Sequence, residues 1–454
     1  MLFERIVSEG LAHYSYIIGD EGKAAVIDPR RDCDVYLDIA ARNNCTITHI
    51  FETHRNEDYV IGSPGLAHRC GAGIFHGAAM DFAYGNAVHE GDVFMFGSLS
   101  LQVLETPGHT EESISLVVRD QKTGKTPYMV FSGDTVFSGD IARTDFFGGS
   151  RKEEMAKKIY DSITEKILAR GDGVILCPAH GAGSVCGGEI TDHPYTTVGY
   201  ERSTNPFLRI GREKFVSARK TESHYMPPYF STMERYNRDG APLKHPPVLR
   251  MLTIPELEDF RNSGCQILDI RAPADFAGGH IPQSMSIWRG GISSFAGWFL
   301  NYKDPIILID DFNLNTEQVI LQLFRLGYDN IAGILAGGIV AWYKSGREIG
   351  TTGVCSVKNL KEQLDNGTPF VLDVRDIRNR RAVGHIRNSH HIYVGELLSH
   401  IHEIPTNQPV FVYCDAGLKA GIAASILAQN HYKGVTNVLG GMSAWKQAGF
   451  PIEH

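Results

Sequence analysis

Four short strings in the first half of the chain each close an apolar run and deliver an imidazole or a carboxylate at its end. They are Phe51-Glu-Thr-His-Arg-Asn-Glu-Asp-Tyr59, Glu105-Thr-Pro-Gly-His-Thr-Glu-Glu-Ser113, Phe131-Ser-Gly-Asp-Thr135 and Cys177-Pro-Ala-His-Gly181. Taken singly, a His or Asp after a strand reads as a cap or a turn residue. Taken as a set, they offer the nitrogen and oxygen donors of a divalent cation, and by donor type alone the set suits zinc or iron. Other histidines, such as His68, His76 and His89, read as ordinary surface or core residues.

These strings need strands to carry them. Up to about Phe207 the chain alternates short β-rich runs (Tyr14 to Ile18, Ala24 to Ile27, Ile47 to Phe51, Leu99 to Leu104, Tyr128 to Phe131, Val174 to Leu176) with polar loops and helical stretches. That is the pattern of an α/β architecture, which places its chemistry in the loops after strands. Residues 226–248 are rich in proline and aromatics, and are expected to form an extended linker that resists helix and ladder formation.

An internal repeat follows. Leu268-Asp-Ile-Arg271 recurs as Leu372-Asp-Val-Arg375, Gly279-His-Ile281 as Gly384-His-Ile386, and Gly337-Gly338 with Trp342 as Gly440-Gly441 with Trp445. In each copy an apolar strand, Pro305 to Ile309 or Pro409 to Tyr413, precedes an apolar helical run, Val319 to Leu326 or Ile422 to Ala428. That unit belongs to a parallel α/β sheet, so two duplicated domains are expected.

Composition bounds the rest. The chain has 454 residues, too many for one hydrophobic core, and is 43% hydrophobic and 21% charged, as an ordered protein requires. A net charge of -8 without a Lys/Arg-rich run disfavours nucleic acid and anionic membranes. No stretch reaches the roughly 18 uninterrupted apolar residues of a membrane helix. The N-terminus does not read as a signal peptide, so the expected location is the cytoplasm. The eight cysteines include no CxxC pair, which argues against a zinc knuckle or a disulfide framework.

The four strings, in this order, resemble the metallo-β-lactamase superfamily, whose signature opens with Thr-His-x-His-x-Asp-His. In dinuclear members the later two histidines of that string bind metal; here those places are Asn56 and Tyr59. The resemblance therefore implies a reduced set of His54, His109 and Asp134 holding one metal ion, as in the persulfide dioxygenase branch. Two imidazoles and one carboxylate with open positions form the facial triad of non-haem Fe(II) oxygenases. Ala142-Arg-Thr-Asp-Phe146 resembles a segment of the same branch. Arg143 then either steadies an anionic substrate or locks its loop through Asp145. Asp58 is expected to orient a ligand or its loop, and His180 to support a ligand or face the substrate.

The duplicated domains resemble rhodaneses, through Leu-Asp-Val-Arg, Gly-His-Ile and the closing Gly-Gly-Met-Ser-Ala-Trp445. In that family the nucleophile is a cysteine between a strand and a helix, and Val412-Tyr-Cys-Asp-Ala-Gly-Leu-Lys-Ala420 supplies Cys414. Backbone N–H groups and the helix N-terminus of such a loop lower the thiol pKa and cradle an anionic persulfide or thiosulfate, with Lys419 adding positive charge. Asp269 to Asp310 and Asp373 to Cys414 span the same 41 residues, so the first copy has a carboxylate at the nucleophile position. A carboxylate cannot carry sulfane sulfur, and that copy is expected to be silent.

The resemblance spans the chain and implies a metallo-β-lactamase-like αββα sandwich over 1–245, linker included, an inactive rhodanese-like domain over 246–350 and an active one over 354–454. It further implies oxidation of a low-molecular-weight persulfide by O₂ to sulfite, with sulfur transfer through a Cys414 persulfide giving or using thiosulfate. One Fe(II) per chain is expected, with zinc as an alternative in purified protein, in a homo-oligomer (dimer or tetramer). The loop after His180, Gly-Ala-Gly-Ser-Val-Cys186, departs from the glutathione-dependent enzymes and leaves the thiol carrier open. Two rivals are a dinuclear zinc thioesterase of the glyoxalase II type and a non-catalytic sulfide-sensing scaffold. A closed structural site would want a fourth protein ligand, and the sequence offers no convincing one.

Overall fold

Strands that are apolar on both faces require a sheet covered on both sides, and the first half of the chain builds two of them. The computed structural model describes residues 1–193, 195–222, 224–314 and 316–454. It divides into one unit of Met1–Pro246 with Phe324–Gly327, and another of Pro247–Leu323 with Tyr328–His454.

In the first unit one six-stranded sheet runs Leu2–Ser8, His13–Asp20, Lys23–Ile27, Thr46–Phe51, Gly73–Gly77, Asn86–Val88 in spatial order. The second runs Thr196–Thr197, Ile175–Pro178, Met129–Gly133, Ile114–Asp120, Leu99–Glu105, Val93–Phe96. Tyr16, Ile18, Ala25, Ile27 and Phe51 from the first sheet meet Leu101, Val103, Leu116, Val118 and Phe131 from the second in one buried core. Their neighbours Ile17, Ala24, Val26 and Ile50 face the other way, onto Tyr36, Ile39 and Leu66 of the helices Asp34–Arg42 and Ser63–Cys70. On the far side of the second sheet Val117, Val130 and Leu176 pack on Ala156 and Ile159 of the helix Gly149–Asp161. Each such buried aliphatic side chain contributes about 1.5–3 kcal/mol. The result is the expected αββα sandwich.

Strand direction explains why the three strings of the second sheet meet. Met129–Gly133 pairs parallel with Ile175–Pro178, and Gly133 stands opposite Pro178, which sets Asp134 beside His180. Leu99–Glu105 lies two antiparallel steps from Met129–Gly133 and so ends in the same direction, releasing His109 there.

The expected extended linker is corrected by the structure: its middle is a helix, Phe230–Asp239. No proline lies between Pro228 and Pro242, and Phe230, Met233 and Asn237 recur at helical spacing on a buried face. Residues 241–250 carry neither helix nor strand.

The second unit contains the duplicated parallel sheets. Met251–Leu252, Ile331–Leu335, Ile306–Ile309, Gln266–Asp269 and Met285–Ser286 form one; Gly353–Ser356, Val435–Leu439, Val410–Tyr413, Phe370–Asp373 and His390–His391 form the other in the same order. The helix Leu418–Gln429 is buried all round from Ala420 to Leu427. One side covers its own sheet; another meets the first copy, where Ser425 Oγ accepts the Ser286 N–H at 3.0 Å and Gly421 has no room for a side chain against Pro273. Among the described residues no helix is long and apolar enough to cross a membrane.

Candidate metal centre and sulfur-transfer site

The short polar loops leaving the strand ends carry the site, and they are pinned from behind. Asp28, following Lys23–Ile27, accepts the Thr53 N–H at 2.7 Å and the Thr53 hydroxyl at 2.8 Å. The Thr53 oxygen is then free to accept from His54 Nδ1 at 3.0 Å, which turns Nε2 of that ring inward as a lone pair. His109 donates from Nδ1 to the Arg143 carbonyl at 2.9 Å and presents Nε2 in the same way. Gly133 makes the turn before Asp134 at φ +52°, and a Cβ there would stand 2.6 Å from Thr53 Oγ1.

His54 Nε2 and His109 Nε2 lie 3.7 and 3.5 Å from Asp134 Oδ2. All three side chains are buried, and none of these three atoms has a hydrogen-bond partner among the described residues. Buried polar atoms that face one another without bonding are costly, unless an ion accepts them all. The donor set, two imidazoles and a carboxylate, fits a divalent transition metal. Burial pushes the His54 imidazole down to about 4, so it stays a neutral ligand at pH 7. Burial would raise Asp134, but His180 and His54 outweigh it and hold the carboxyl well below its ordinary range.

The other predicted residues surround this set. His180 Nδ1 lies 2.7 Å from Asp134 Oδ1, and His180 Nε2 lies 3.1 Å from Asp58 Oδ2. Arg143 is buried and paired bidentately with Asp145 at 2.6 and 3.0 Å, with a further contact to the Tyr225 carbonyl at 3.4 Å. That geometry favours the loop lock of its two expected roles. Asn56 donates to the His54 carbonyl at 3.2 Å, and the buried Tyr59 ring lies tilted against the His13 ring with centroids 4.0 Å apart.

Sequence reasoning missed four residues. Glu57, inside the first string, brings Oε2 to 3.4 Å from His109 Nε2. Asp28 orients Thr53. Cys186 is fully buried beside the site. Asn237, on the helix that replaced the expected linker, donates to the carbonyls of Asn56 at 2.6 Å and Tyr59 at 2.8 Å and accepts the Ile61 N–H at 2.9 Å. Only Glu57 carried a signal, a metal-competent side chain in a string already singled out.

In the second unit, Cys414 ends the strand Val410–Tyr413 and its Sγ accepts the Gly417 N–H at 3.1 Å. Gly441, at φ +47°, passes so close that a Cβ would stand 2.1 Å from the Cys414 carbonyl oxygen, which accepts the Met442 N–H at 2.8 Å. Lys419 reaches Asp415 at 3.1 Å, and Asn379 donates to the other oxygen of that carboxylate at 2.9 Å. The first copy repeats the frame: the Asp310 carbonyl accepts the Ile339 N–H at 2.8 Å, and Arg289 pairs with the Asp310 carboxylate at 2.6 Å. Asp310 thus stands where Cys414 stands. In both copies the Leu-Asp-x-Arg string is an internal clamp, Arg271 on Asp269 and Arg375 on Asp373 at 2.7 Å.

The fold and these sites define a metallo-β-lactamase-type domain followed by a duplicated rhodanese-like one. The model of the metallo-beta-lactamase superfamily matches residues 9–180, and that of the rhodanese-like domain matches 253–345 and 356–448. A crystal structure of a metallo-beta-lactamase from Staphylococcus aureus is 31% identical with a TM-score of 0.66, covering 74% of this chain and 98% of that one. The chain belongs to the metallo-β-lactamase superfamily and carries two rhodanese-like domains. Mitochondrial persulfide dioxygenase ETHE1 of Mus musculus is 29% identical over 215 residues, 45% of this chain and 74% of that protein. Hydroxyacylglutathione hydrolase GloC of Haemophilus influenzae is 26% identical, over 43% of this chain and 91% of that protein.

Proposed function

We propose that the chain is an iron-dependent persulfide dioxygenase fused to a rhodanese, with residues 1–245 oxidising, 246–350 silent and 354–454 transferring sulfur. The observation that carries this reading is the convergence of His54 Nε2, His109 Nε2 and Asp134 Oδ2, buried and without a hydrogen-bond partner among the described residues, with Asn56 and Tyr59 at two places where dinuclear relatives have histidine. The likeness to persulfide dioxygenases over the first domain supports it. Fe(II) bound by these three residues would offer O₂ and a substrate sulfur open positions in a water-poor pocket.

The chain's own residues do the rest. Phe146 packs edge-on against His109 and meets Phe230, so an apolar wall flanks the ligands and suits a poorly hydrated sulfur. Asp134 holds His180 in place and His180 in turn faces Asp58, so the acid–imidazole pair stands ready to move a proton. The balance is R–S–SH + O₂ + H₂O to R–SH + SO₃²⁻ + 2H⁺. At the rhodanese, Cys414 thiolate attacks the outer sulfur of a second persulfide, releases R–S⁻ and becomes Cys–S–SH. Sulfite then takes that sulfur, forming thiosulfate and regenerating the thiol; the reverse obeys the same chemistry. The eight unpaired cysteines suit a reducing compartment, in keeping with the cytoplasmic location proposed for a homo-oligomer.

The test uses the full chain, loaded anaerobically with Fe(II) and given persulfide with and without O₂. Sulfite production matched to O₂ uptake is expected, with about one iron per chain supporting it. Thioester hydrolysis without O₂ would point to the zinc thioesterase, and no turnover to a sensor; either result overturns the reading.

A further inference from the structure

The first rhodanese-like copy has an aspartate in place of the nucleophile, yet it keeps a cleft of about 620 Å³, within the range of small-molecule sites. Asp310, Trp288 and the exposed Phe312 and Leu314 line it. Its charges come in two pairs: Arg289 with Asp310 at 2.6 Å, and Asp311 with Arg271 at 3.5 Å. In each pair one side chain is buried, Asp310 at 6% exposure and Arg271 at 2%. The other is a third exposed, Arg289 at 33% and Asp311 at 35%. The cleft thus offers a ligand one guanidinium and one carboxylate, each backed by a buried counter-ion. We propose that it binds an amino-acid-type zwitterion with an apolar or sulfur-bearing side chain, and that its occupancy is felt at Cys414.

A ligand of one sign would pair with one exposed group and be repelled by the other, whereas an α-carboxylate suits Arg289 and an α-ammonium Asp311. Trp288, Phe312 and Leu314 suit an aliphatic or thioether side chain. Gln322 Oε1, buried in the lining without a hydrogen-bond partner among the described residues, can accept a further N–H. The active copy does not repeat the charge pattern. The backbone bond from the Arg289 N–H to the Ile270 carbonyl at 3.1 Å recurs there from Val394 to Val374 at 3.3 Å, so valine stands in the arginine's place. Two lines of contact lead from the cleft towards Cys414. Ala272 and Trp288 line the cleft; Pro273, beside the first, lies 2.5 Å from where a Cβ on Gly421 would stand, and Ser286, two residues before the second, donates its N–H to Ser425 Oγ at 3.0 Å. Both Gly421 and Ser425 belong to the helix Leu418–Gln429, whose N-cap Gly417 donates its N–H to Cys414 Sγ at 3.1 Å. Gly290, also in the lining, leads into the helix Ile292–Phe299, where the Trp298 ring meets Tyr393, the neighbour of Val394, with centroids 5.6 Å apart.

The test uses the full chain and three probes that share one side chain: L-methionine with both charges, N-acetyl-L-methionine with the negative one, and L-methionine methyl ester with the positive one. By titration calorimetry methionine should bind at least tenfold more tightly than either of the others. Asp311→Asn and Arg289→Gln should each weaken it about tenfold or more, the loss of one charge-assisted hydrogen bond; Asp311→Asn, at an exposed position, serves if Arg289→Gln does not fold. Coupling is read as the rate at which iodoacetamide alkylates Cys414, followed by peptide mass mapping. Saturating methionine should change that rate about fivefold or more, the lower end of ordinary coupling between sites. In Asp311→Asn the rate without methionine should be that of the parent chain, and methionine at the same concentration should leave it unchanged. Neither readout depends on the dioxygenase or sulfur-transfer reading. Equal binding of a singly charged probe, binding indifferent to the substitutions, or a Cys414 rate unmoved at saturation overturns the proposal.

Discussion

Replacing Asn237 by alanine removes three hydrogen bonds at once from the backbone of the loop that carries His54, Glu57 and Asp58. The amide is buried, and its orientation is chemically unique, because two of its partners are carbonyls and the third is an N–H. A neutral hydrogen bond contributes about 0.5–1.5 kcal/mol net, and an abandoned buried partner costs more. With water refilling part of the gap, the loss is about 3 kcal/mol. For a unit of this size that lowers the melting temperature by about 6–12 °C. If half or more of the loss falls on loop order, metal affinity drops between about tenfold and a hundredfold, since each 1.4 kcal/mol is about a factor of ten. Chelator competition measures the affinity, and calorimetry of the full chain measures the melting. Asn237→Asp sharpens the test: a carboxylate of the same shape would face two carbonyl oxygens, so at neutral pH it should be worse than alanine and recover on acidification. Should alanine change stability by less than about 0.5 kcal/mol, within the range of ordinary surface substitutions, and leave metal affinity unchanged, the clamp does not exist.

Cys414→Ser should abolish thiosulfate formation while leaving persulfide-dependent O₂ uptake intact; loss of both, assayed side by side, would contradict the division of labour. Gly441→Ala puts a Cβ 2.1 Å from the Cys414 carbonyl oxygen at a left-handed φ, and should destabilise the last domain by about 2–3 kcal/mol in a denaturant titration and lower sulfur transfer. Asp310→Ala, by contrast, should leave transfer rates unchanged, because no sulfur passes that position. Glu222 gives a pH signature: burial raises its carboxyl, but His224 and Arg219 outweigh it and bring it from 4.5 to about 2. A folded value below the unfolded one means its stabilisation is complete above pH 4.5 and disappears as pH falls towards 2. Glu222→Gln should therefore cost about 2 kcal/mol at pH 7 and little near pH 2, read from urea midpoints.

How far the sequence reaches depends on whether a residue's role is local. His54, His109, Asp134, His180 and Cys414 each follow an apolar strand, and strand direction within the second sheet brings His109, Asp134 and His180 together, so type and spacing reveal them. The parallel sheets were equally legible, because the repeat displays them twice. Cys186 was not, because its course is set by a residue far upstream: Asp140 accepts the N–H groups of Gly188 and Glu189 at 2.7 and 2.8 Å and folds that loop back on the site. The same holds for Asn237, whose helix was hidden by flanking prolines, Pro227, Pro228 and Pro242, that bound the helix without interrupting it. Proline density counts residues in a window, whereas a helix needs only an uninterrupted run with one apolar face. Both misses thus fall on groups outside the four strings that lie against the candidate metal pocket, Asn237 holding the loop of His54 and Cys186 buried beside it.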